Sequence, residues 1–340
     1  MGHAVRAVSI ATQLSSLFRE IRFFSADLYE HVRRATLGRF PLECIPISEL
    51  RTPFEEFGPK LTSCLDVLAP DLVLFDIEPT RWLSTFGPVS APSVYISNIF
   101  LTHPFGPSTA QDKYWASHGP RANNIREKSG LPLINDPREI YRRDLVMLAD
   151  PPCITSSLTK DDPTFAIIGP QAAPAEVALP HDFPKSDPLV VFCGGSTGSH
   201  AASEAIIHYL RRQFSECKFV CLGESALCDS VRPFADQEFA YAPLQKALLS
   251  SRLLVSHGGS GTSYLGLSGG VPNLVIPGHA NHRILGDIIE SIGAGVCLNS
   301  EDSPPINRDW PALALGAKKA SLDCVASESP RCLIESLLSK

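Results

Sequence analysis

Short apolar runs alternate with segments of helical period along most of the chain, and this alternation limits the possible folds more than any other feature. Strands are predicted at IRFF, CIPI, DLVLFD and SVYIS in the first half, and at LVVFC, KFVCL, RLLVSH, NLVIP and GVCL in the second. Residues 5–18 and 54–68 carry apolar residues at spacings of three and four, which predicts helices. Strands that alternate with helices form parallel sheets covered on both faces, so the sequence predicts an α/β fold.

A proline-rich segment interrupts this alternation at residues 169–188, which hold five prolines and few apolar residues. This composition is typical of a linker. We therefore predict an N-terminal domain at residues 1–168 and a second domain at residues 189–320. Ligands of open parallel sheets bind at the carboxyl ends of the strands, which places the predicted site in a cleft between the domains.

One further segment, residues 98–136, is long, aromatic and without regular spacing. Such a segment is expected to be an irregular binding loop, and a plain surface excursion is the alternative.

The composition of the chain limits which binding partners and which cellular compartment are expected. The formal net charge of −6 argues against nucleic acid or an anionic membrane as the main partner. No apolar run approaches the roughly 18 residues of a transmembrane helix. The ten cysteines are scattered and lack the paired spacing of zinc sites. Together with a first segment that is not a signal peptide, this favours a cytoplasmic protein with reduced thiols and no metal.

The stretch HGGSGTSYLGLSGGVPNLVIPGHANH, residues 257–282, has seven glycines and three histidines but no Lys, Arg, Asp or Glu. A strand leads into it and a helix is predicted to begin near Gly261. Backbone amides of consecutive glycines and the positive end of a helix dipole accept a phosphate without a lysine. No Gly-Lys-Ser/Thr follows, so this is not a P-loop. Taken alone, the stretch fits either a phosphate site or an ordinary tight turn.

The wider segment, residues 241–298, resembles the donor-binding region of UDP-glycosyltransferases, and most of all the bacterial macrolide and antibiotic glycosyltransferases. A Pro-containing loop, a hydrophobic helix, a strand, HGG-x-G-[ST], a GVP strand and a Pro-led loop follow in the family's order. The resemblance implies the GT-B fold, which has two Rossmann-like domains with parallel sheets facing a central cleft. It also implies that the last helix, in residues 321–340, packs back on the N-terminal domain.

The resemblance assigns a nucleotide-sugar donor to the second domain. The residues implied for the donor diphosphate are His257, Gly259, Ser260, Gly261 and Thr262, with Gly195, Ser196 and Thr197 at its β-phosphate. The loop implied for the base holds Tyr241, Ala242 and Leu244. Amides, hydroxyls, a helix dipole and imidazole stabilise a diphosphate leaving group without a metal, so no metal and no cofactor is expected.

The start of the chain, GHAVRAVSIATQL, resembles the family motif in which the histidine is the general base. His3 would remove the proton of the acceptor hydroxyl as its oxygen attacks the anomeric carbon with inversion, a role that suits imidazole. Asp76 would orient His3. A small hydrophobic acceptor would lie against four aromatic residues, namely Phe100, Phe105, Tyr114 and Trp115.

Three departures from the family pattern are visible. Leu265 replaces an acidic residue that hydrogen-bonds the ribose, and Asn281 with His282 replaces the Asp-Gln or Glu-Gln pair that binds the donor sugar. The family also has a strand before its GH motif, whereas this sequence has Met1 directly before Gly2. Either the upstream start is missing from the sequence or the fold has adapted, and we expect the former.

The sequence thus predicts an inverting, metal-independent hexosyltransferase. It would move a sugar from a UDP- or dTDP-sugar to a hydroxyl of a small hydrophobic acceptor such as a natural product. One alternative is a GT-B sugar-nucleotide hydrolase or epimerase, because fold does not fix reaction. The other is a catalytically degenerate nucleotide-sugar-binding protein or subunit. Whether the chain forms a homodimer is left open.

Overall fold

A computed structural model of the protein describes most of the chain, in two compact units. The described residues are 2–26, 40–45, 62–76, 89–98, 109–135, 139, 141–155, 164–172, 178–194, 201–278, 280–298, 308–324 and 327–340. The carboxy-terminal unit comprises Met1–Arg6, Asp150–Ile154 and Gly169–Ser327. The amino-terminal unit comprises Ala7–Ala149, Thr155–Ile168 and Glu328–Lys340.

Parallel strands organise the first half of the chain. Its elements are α1 Gly2–Leu14, β1 Phe23–Ala26, β2 Leu42–Ile45, β3 Val73–Phe75, β4 Ser93–Ser97, α2 Thr109–Lys128, β5 Leu145–Leu148, α3 Pro152–Thr155 and β6 Phe165–Ile167. Residues 62–68 are also helical. Strands β3, β4, β5 and β6 form a parallel sheet in that order, and β1 pairs with β2 in a separate parallel ribbon.

Helices pack onto the four-stranded sheet through one apolar cluster. Ile10 and Leu14 of α1 lie in this cluster with Val94 of β4 and Met147 of β5. The last helix of the chain, α10 Pro330–Leu338, adds Ile334, which is fully buried in this cluster. The Glu328 amide also donates to the Ile167 carbonyl at 2.8 Å, which joins the end of the chain to β6.

Helix α2 lies where an irregular loop is expected, so that prediction is wrong over Thr109–Lys128. The helix contains Pro120 and few apolar residues, so its sequence shows no helical periodicity of apolar residues. Its buried face is narrow and includes Ala122 and Ile125. The side chain of Asn123 then donates to and accepts from the backbone of Ile134, which fixes the segment that follows.

A six-stranded sheet forms the centre of the carboxy-terminal unit. Its elements are β7 Leu189–Cys193, α4 Glu204–Gln213, β8 Lys218–Leu222, α5 Ala226–Val231, β9 Gln237–Phe239, α6 Leu244–Ala247, β10 Ser251–Ser256, α7 Ser260–Ser268, β11 Asn273–Val275, α8 Ala280–Ser291, β12 Gly295–Cys297 and α9 Trp310–Asp323. All its strand pairs are parallel, in the order β12-β11-β10-β7-β8-β9. This is the Rossmann order, and it reverses between β7 and β10.

Both faces of this sheet are covered, as the continuous apolar run of β7 requires. Val190 and Phe192 contribute to one apolar cluster, whereas Leu189 and Val191 contribute to the cluster on the opposite face. All four side chains have no exposed surface. The predicted α/β architecture with parallel sheets is therefore confirmed in both units.

Candidate functional site

The order reversal between β7 and β10 places two loops side by side at the carboxyl edge of the sheet. Ser256, the last residue of β10, is in register with Cys193, the last residue of β7. Gly194 follows one strand and His257 follows the other. In open parallel sheets this reversal is where a crevice forms and ligands bind. The glycine-rich stretch singled out in the sequence begins at this position.

His257 joins the two loops. Its side chain is 1% exposed, and its Nδ1 lies within hydrogen-bonding distance of the Gly194 carbonyl. A carbonyl only accepts, so Nδ1 carries the proton. A Cβ on Gly194 would overlap the Ser225 side chain and lie 2.9 Å from His257 Cε1. The short contact therefore requires glycine after β7.

His282 faces His257 across the loop. It lies in the first turn of α8 and is 5% exposed, and the two imidazole rings are nearly parallel with centroids 6.4 Å apart. The Gly278 amide donates to His282 Nδ1 at 3.3 Å, which leaves the proton of the neutral ring on Nε2. The two rings therefore present opposite tautomers, with His282 offering a donor and neutral His257 an acceptor at Nε2.

The backbone between the two histidines is held in a conformation that favours glycine. Gly258 has a φ of +85°, and a Cβ there would lie 2.6 Å from Val275 Cγ1 and 2.9 Å from the His282 carbonyl oxygen. The neighbouring Gly259 has room, since a Cβ on it would lie 4.0 Å from His282 Nε2. The close packing at Gly258 thus brings the backbone of the loop against α8.

Helix α7 begins at this loop without a side-chain cap. Its N-cap residue, Gly259, makes no side-chain hydrogen bond to the first turn, whereas Ser203 caps α4 and Asp309 caps α9. The Ser263 amide is bonded to the Gly259 carbonyl at 2.9 Å, so the helical pattern starts there. The amides of Ser260, Gly261 and Thr262 precede it. An uncapped helix start with its dipole suits an anion such as a phosphate.

The loop predicted to read the base lies between β9 and α6. Ala242 is buried, and it packs with Leu244 against the apolar cluster of Leu189 and Leu254. Tyr241 is partly exposed, and burial raises the pKa of its phenol. The phenol is therefore neutral near pH 7 and is available as a hydrogen-bond donor.

The family resemblance implies acidic residues at the positions of Leu265 and Asn281. Leu265 packs against the apolar cluster that contains Leu248 and Leu254, so its side chain contributes to the core and offers no polar atom to a ribose. Asn281 precedes His282 in α8 and is partly exposed. Leu265 therefore has a packing role, whereas the side chain of Asn281 is partly accessible to solvent.

The remaining predicted residues are described less completely. Helix α1 begins at Gly2, but the side-chain placement of His3 lies outside the description, as do those of Tyr114 and Trp115 within α2. Asp76 directly follows β3 and is partly exposed. It belongs to the other unit from His3. The predicted residues outside the described ranges are Phe100, Phe105, Gly195, Ser196 and Thr197. The roles of these residues stay predictions.

Sequence reasoning missed three residues of this region. Gly194 was detectable, because two consecutive glycines after a buried strand signal a close backbone approach. Tyr264 of α7 and Asp150, which share a buried hydrogen bond, were not detectable. They are far apart in the chain, and no pattern links them.

No group of three or more His, Cys, Asp or Glu in the described ranges is arranged to hold a metal ion. No helix within the described part of the chain is both long and apolar enough to cross a membrane.

Comparison with known protein families gives one match. Residues 224–317 match the family described as "Erythromycin biosynthesis protein CIII-like, C-terminal domain". The match contains α7, the loop before it and α8, and it confirms the predicted family resemblance for this part of the chain. Among curated proteins, no sequence shows significant similarity to the chain.

Solved structures resemble the whole chain. The glycotransferase of kitacinnamycin is 16% identical with a TM-score of 0.73, over 99% of this chain and 96% of that chain. VinC, a glycosyltransferase in complex with DTDP, is 14% identical with a TM-score of 0.68, over 99% and 96%. The spinosyn rhamnosyltransferase SpnG, complexed with thymidine diphosphate, is 16% identical with a TM-score of 0.62, over 99% and 96%. The chain therefore has the GT-B fold of these proteins, as predicted.

The crowding at Gly258 gives a prediction with a matched control. Gly258→Ala and Gly223→Ala both place a Cβ at positive φ, of +85° and +91°, but the space around Gly223 is open. We expect each variant to lose about 1 kcal/mol of unfolding free energy from backbone strain. Gly258→Ala loses a further ~1–3 kcal/mol, because Val275 and α8 must move. Urea unfolding measures both losses, and equal losses would contradict the packing described for this loop.

Proposed function

We propose that the protein is an inverting, metal-independent glycosyltransferase that uses a nucleotide sugar. One observation carries the proposal: the uncapped start of α7 and the buried His257 lie together at the order reversal of a Rossmann-type sheet. The matched family and the fold shared with solved glycosyltransferases support the same enzyme class.

The donor would be bound through its diphosphate. Amides of Ser260, Gly261 and Thr262 would donate to phosphate oxygens, and His282 Nε2 would add a donor from the opposite side of the loop. These groups are neutral and pre-organised, so they stabilise the negative charge that develops on the departing nucleoside diphosphate. VinC and SpnG are solved with thymidine diphosphate, which supports a dTDP-sugar as the first candidate and a UDP-sugar as the second.

The transfer itself would be a single displacement. An acceptor hydroxyl oxygen forms a bond to the anomeric carbon as the bond from that carbon to the diphosphate oxygen breaks, which inverts the configuration. His3 accepts the hydroxyl proton, and Asp76 orients the imidazole of His3. Imidazole suits this role because its ordinary pKa lies near neutral pH.

The acceptor would be a small hydrophobic molecule such as a natural product. SpnG is also solved with the spinosyn aglycone, which supports this class of acceptor. Phe100, Phe105, Tyr114 and Trp115 are the residues we propose to contact it.

One observation favours a second candidate, a nucleotide-sugar-binding protein without transferase activity. Leu265 is packed into the core where the family has its ribose-binding acid, and Asn281 offers no carboxylate for the sugar. Both differences would weaken binding of the ribose and of the donor sugar. The groups proposed to bind the diphosphate are unaffected by them. Binding without transfer would identify this candidate.

A thermal-shift panel tests the donor site. With dTDP, UDP, ADP, GDP and inorganic pyrophosphate as probes, we expect dTDP or UDP to raise the melting temperature most. A ligand at about 100 times its Kd adds ~2.7 kcal/mol to the stability of the native state. Thr262→Val removes one hydroxyl without changing side-chain shape and should reduce the shift. If no nucleotide stabilises the protein more than pyrophosphate does, the proposed donor is wrong.

Replacement of His3 tests the mechanism separately from binding. We expect His3→Ala to lower kcat for sugar transfer by about 10²–10⁴-fold, because the general base is lost. The dTDP affinity should not change, since His3 contacts the acceptor. His208→Ala, at an exposed histidine of α4, is the control and should keep full activity. Transfer that survives His3→Ala unaltered would exclude His3 as the base.

A further inference from the structure

A buried hydrogen bond connects α7, which begins at the proposed donor site, to Asp150. The Tyr264 hydroxyl donates to Asp150 Oδ1 at 2.5 Å. Tyr264 is 1% exposed and Asp150 has no exposed surface. Both residues belong to the carboxy-terminal unit, although the chain separates them by 114 positions. A hydrogen bond this short, to a fully buried carboxylate, is of the charge-assisted kind that fixes geometry strongly.

Arg6 adds a positive charge near Tyr264. Arg6 is 9% exposed and belongs to the same unit. Burial, and then the Asp150 carboxylate, raise the pKa of Tyr264 well above its usual value, whereas the nearby Arg6 guanidinium lowers it. Tyr264 is therefore neutral, and its hydroxyl donates a hydrogen bond to the Asp150 carboxylate. A carboxylate without water contact needs such a donor and a nearby cation, because an uncompensated buried charge is strongly destabilising.

The position of Tyr264 connects this cluster to the donor site. Tyr264 lies one helical turn after Ser260, in the nine-residue helix α7. The next residue of the same helix, Leu265, packs on the apolar cluster. Apolar packing tolerates small rotations and shifts of a helix, whereas a short hydrogen bond to a fixed carboxylate does not. The direction in which the first amides of α7 point thus depends on the bond at Tyr264.

We propose that Asp150 and Tyr264 form a positioning pair that fixes the orientation of α7 and of its diphosphate-binding amides. This inference rests on the proposed function of α7. The pair does not touch the donor; it acts through the helix.

Tyr264→Phe tests the pair, because it removes one hydroxyl and leaves the ring in place. Tyr209→Phe is the matched control, since Tyr209 is also buried in the carboxy-terminal unit but lies on α4. Calorimetric titration with dTDP and UDP, well below the melting temperature of every variant, measures affinity of folded protein alone. Steady-state kinetics then separates the KM for donor from the KM for acceptor.

We expect Tyr264→Phe to raise the Kd of the nucleotide and the KM for donor about tenfold, the effect of losing a hydrogen bond to a charged group. Tyr209→Phe should leave both unchanged, and the acceptor KM should not change in either variant. Asp150→Asn should weaken nucleotide binding as well. The double variant should be no weaker than the worse single variant, because both changes break one bond.

Nucleotide affinity that is equal in wild type and Tyr264→Phe would overturn the positioning role. If Tyr264→Phe does not fold, Asp150→Asn carries the same comparison. Loss of folding in both variants would also overturn it, because the pair would then be a folding requirement. Failure of wild type to bind any nucleotide is a different result: it would overturn the proposed function, and this inference with it.

Discussion

The hydrogen bond from His257 to the Gly194 carbonyl is the interaction on which the site depends. It ties the loop after β10 to the loop after β7 at the point where the strand order reverses. The bond needs a glycine at position 194, because a side chain there would displace His257 and Ser225. With this end of the loop fixed, Gly258 is packed against α8 and the amides of α7 are placed at the edge of the sheet.

The groups proposed to bind the diphosphate carry no formal charge, and this follows from how they are positioned. Its donors are backbone amides and an imidazole N–H whose tautomer is set by the Gly278 amide. Such donors need no reorganisation when charge develops on a leaving group. The charged groups lie one turn further on, where Asp150 holds Tyr264. The structure thus separates the groups that would bind the ligand from those that hold the helix.

The fold was predictable from sequence to a large degree, and the limits are physical. The runs SVYIS and LVVFC coincide with β4 and β7, because continuous apolar runs are what buried parallel strands require. The glycine-rich turn also revealed the His257 loop. Helix α2 was not predicted, because its sequence has few apolar residues and contains Pro120. The Asp150–Tyr264 bond was missed because tertiary structure alone brings those residues together.

A crystal structure of the protein with dTDP tests the central claim most directly. The account predicts that the diphosphate lies at the carboxyl ends of β7 and β10, with its oxygens within hydrogen-bonding distance of the amides of Ser260, Gly261 and Thr262. It also predicts that Tyr264 keeps its bond to Asp150 in the complex. A diphosphate bound away from the start of α7 would contradict the account.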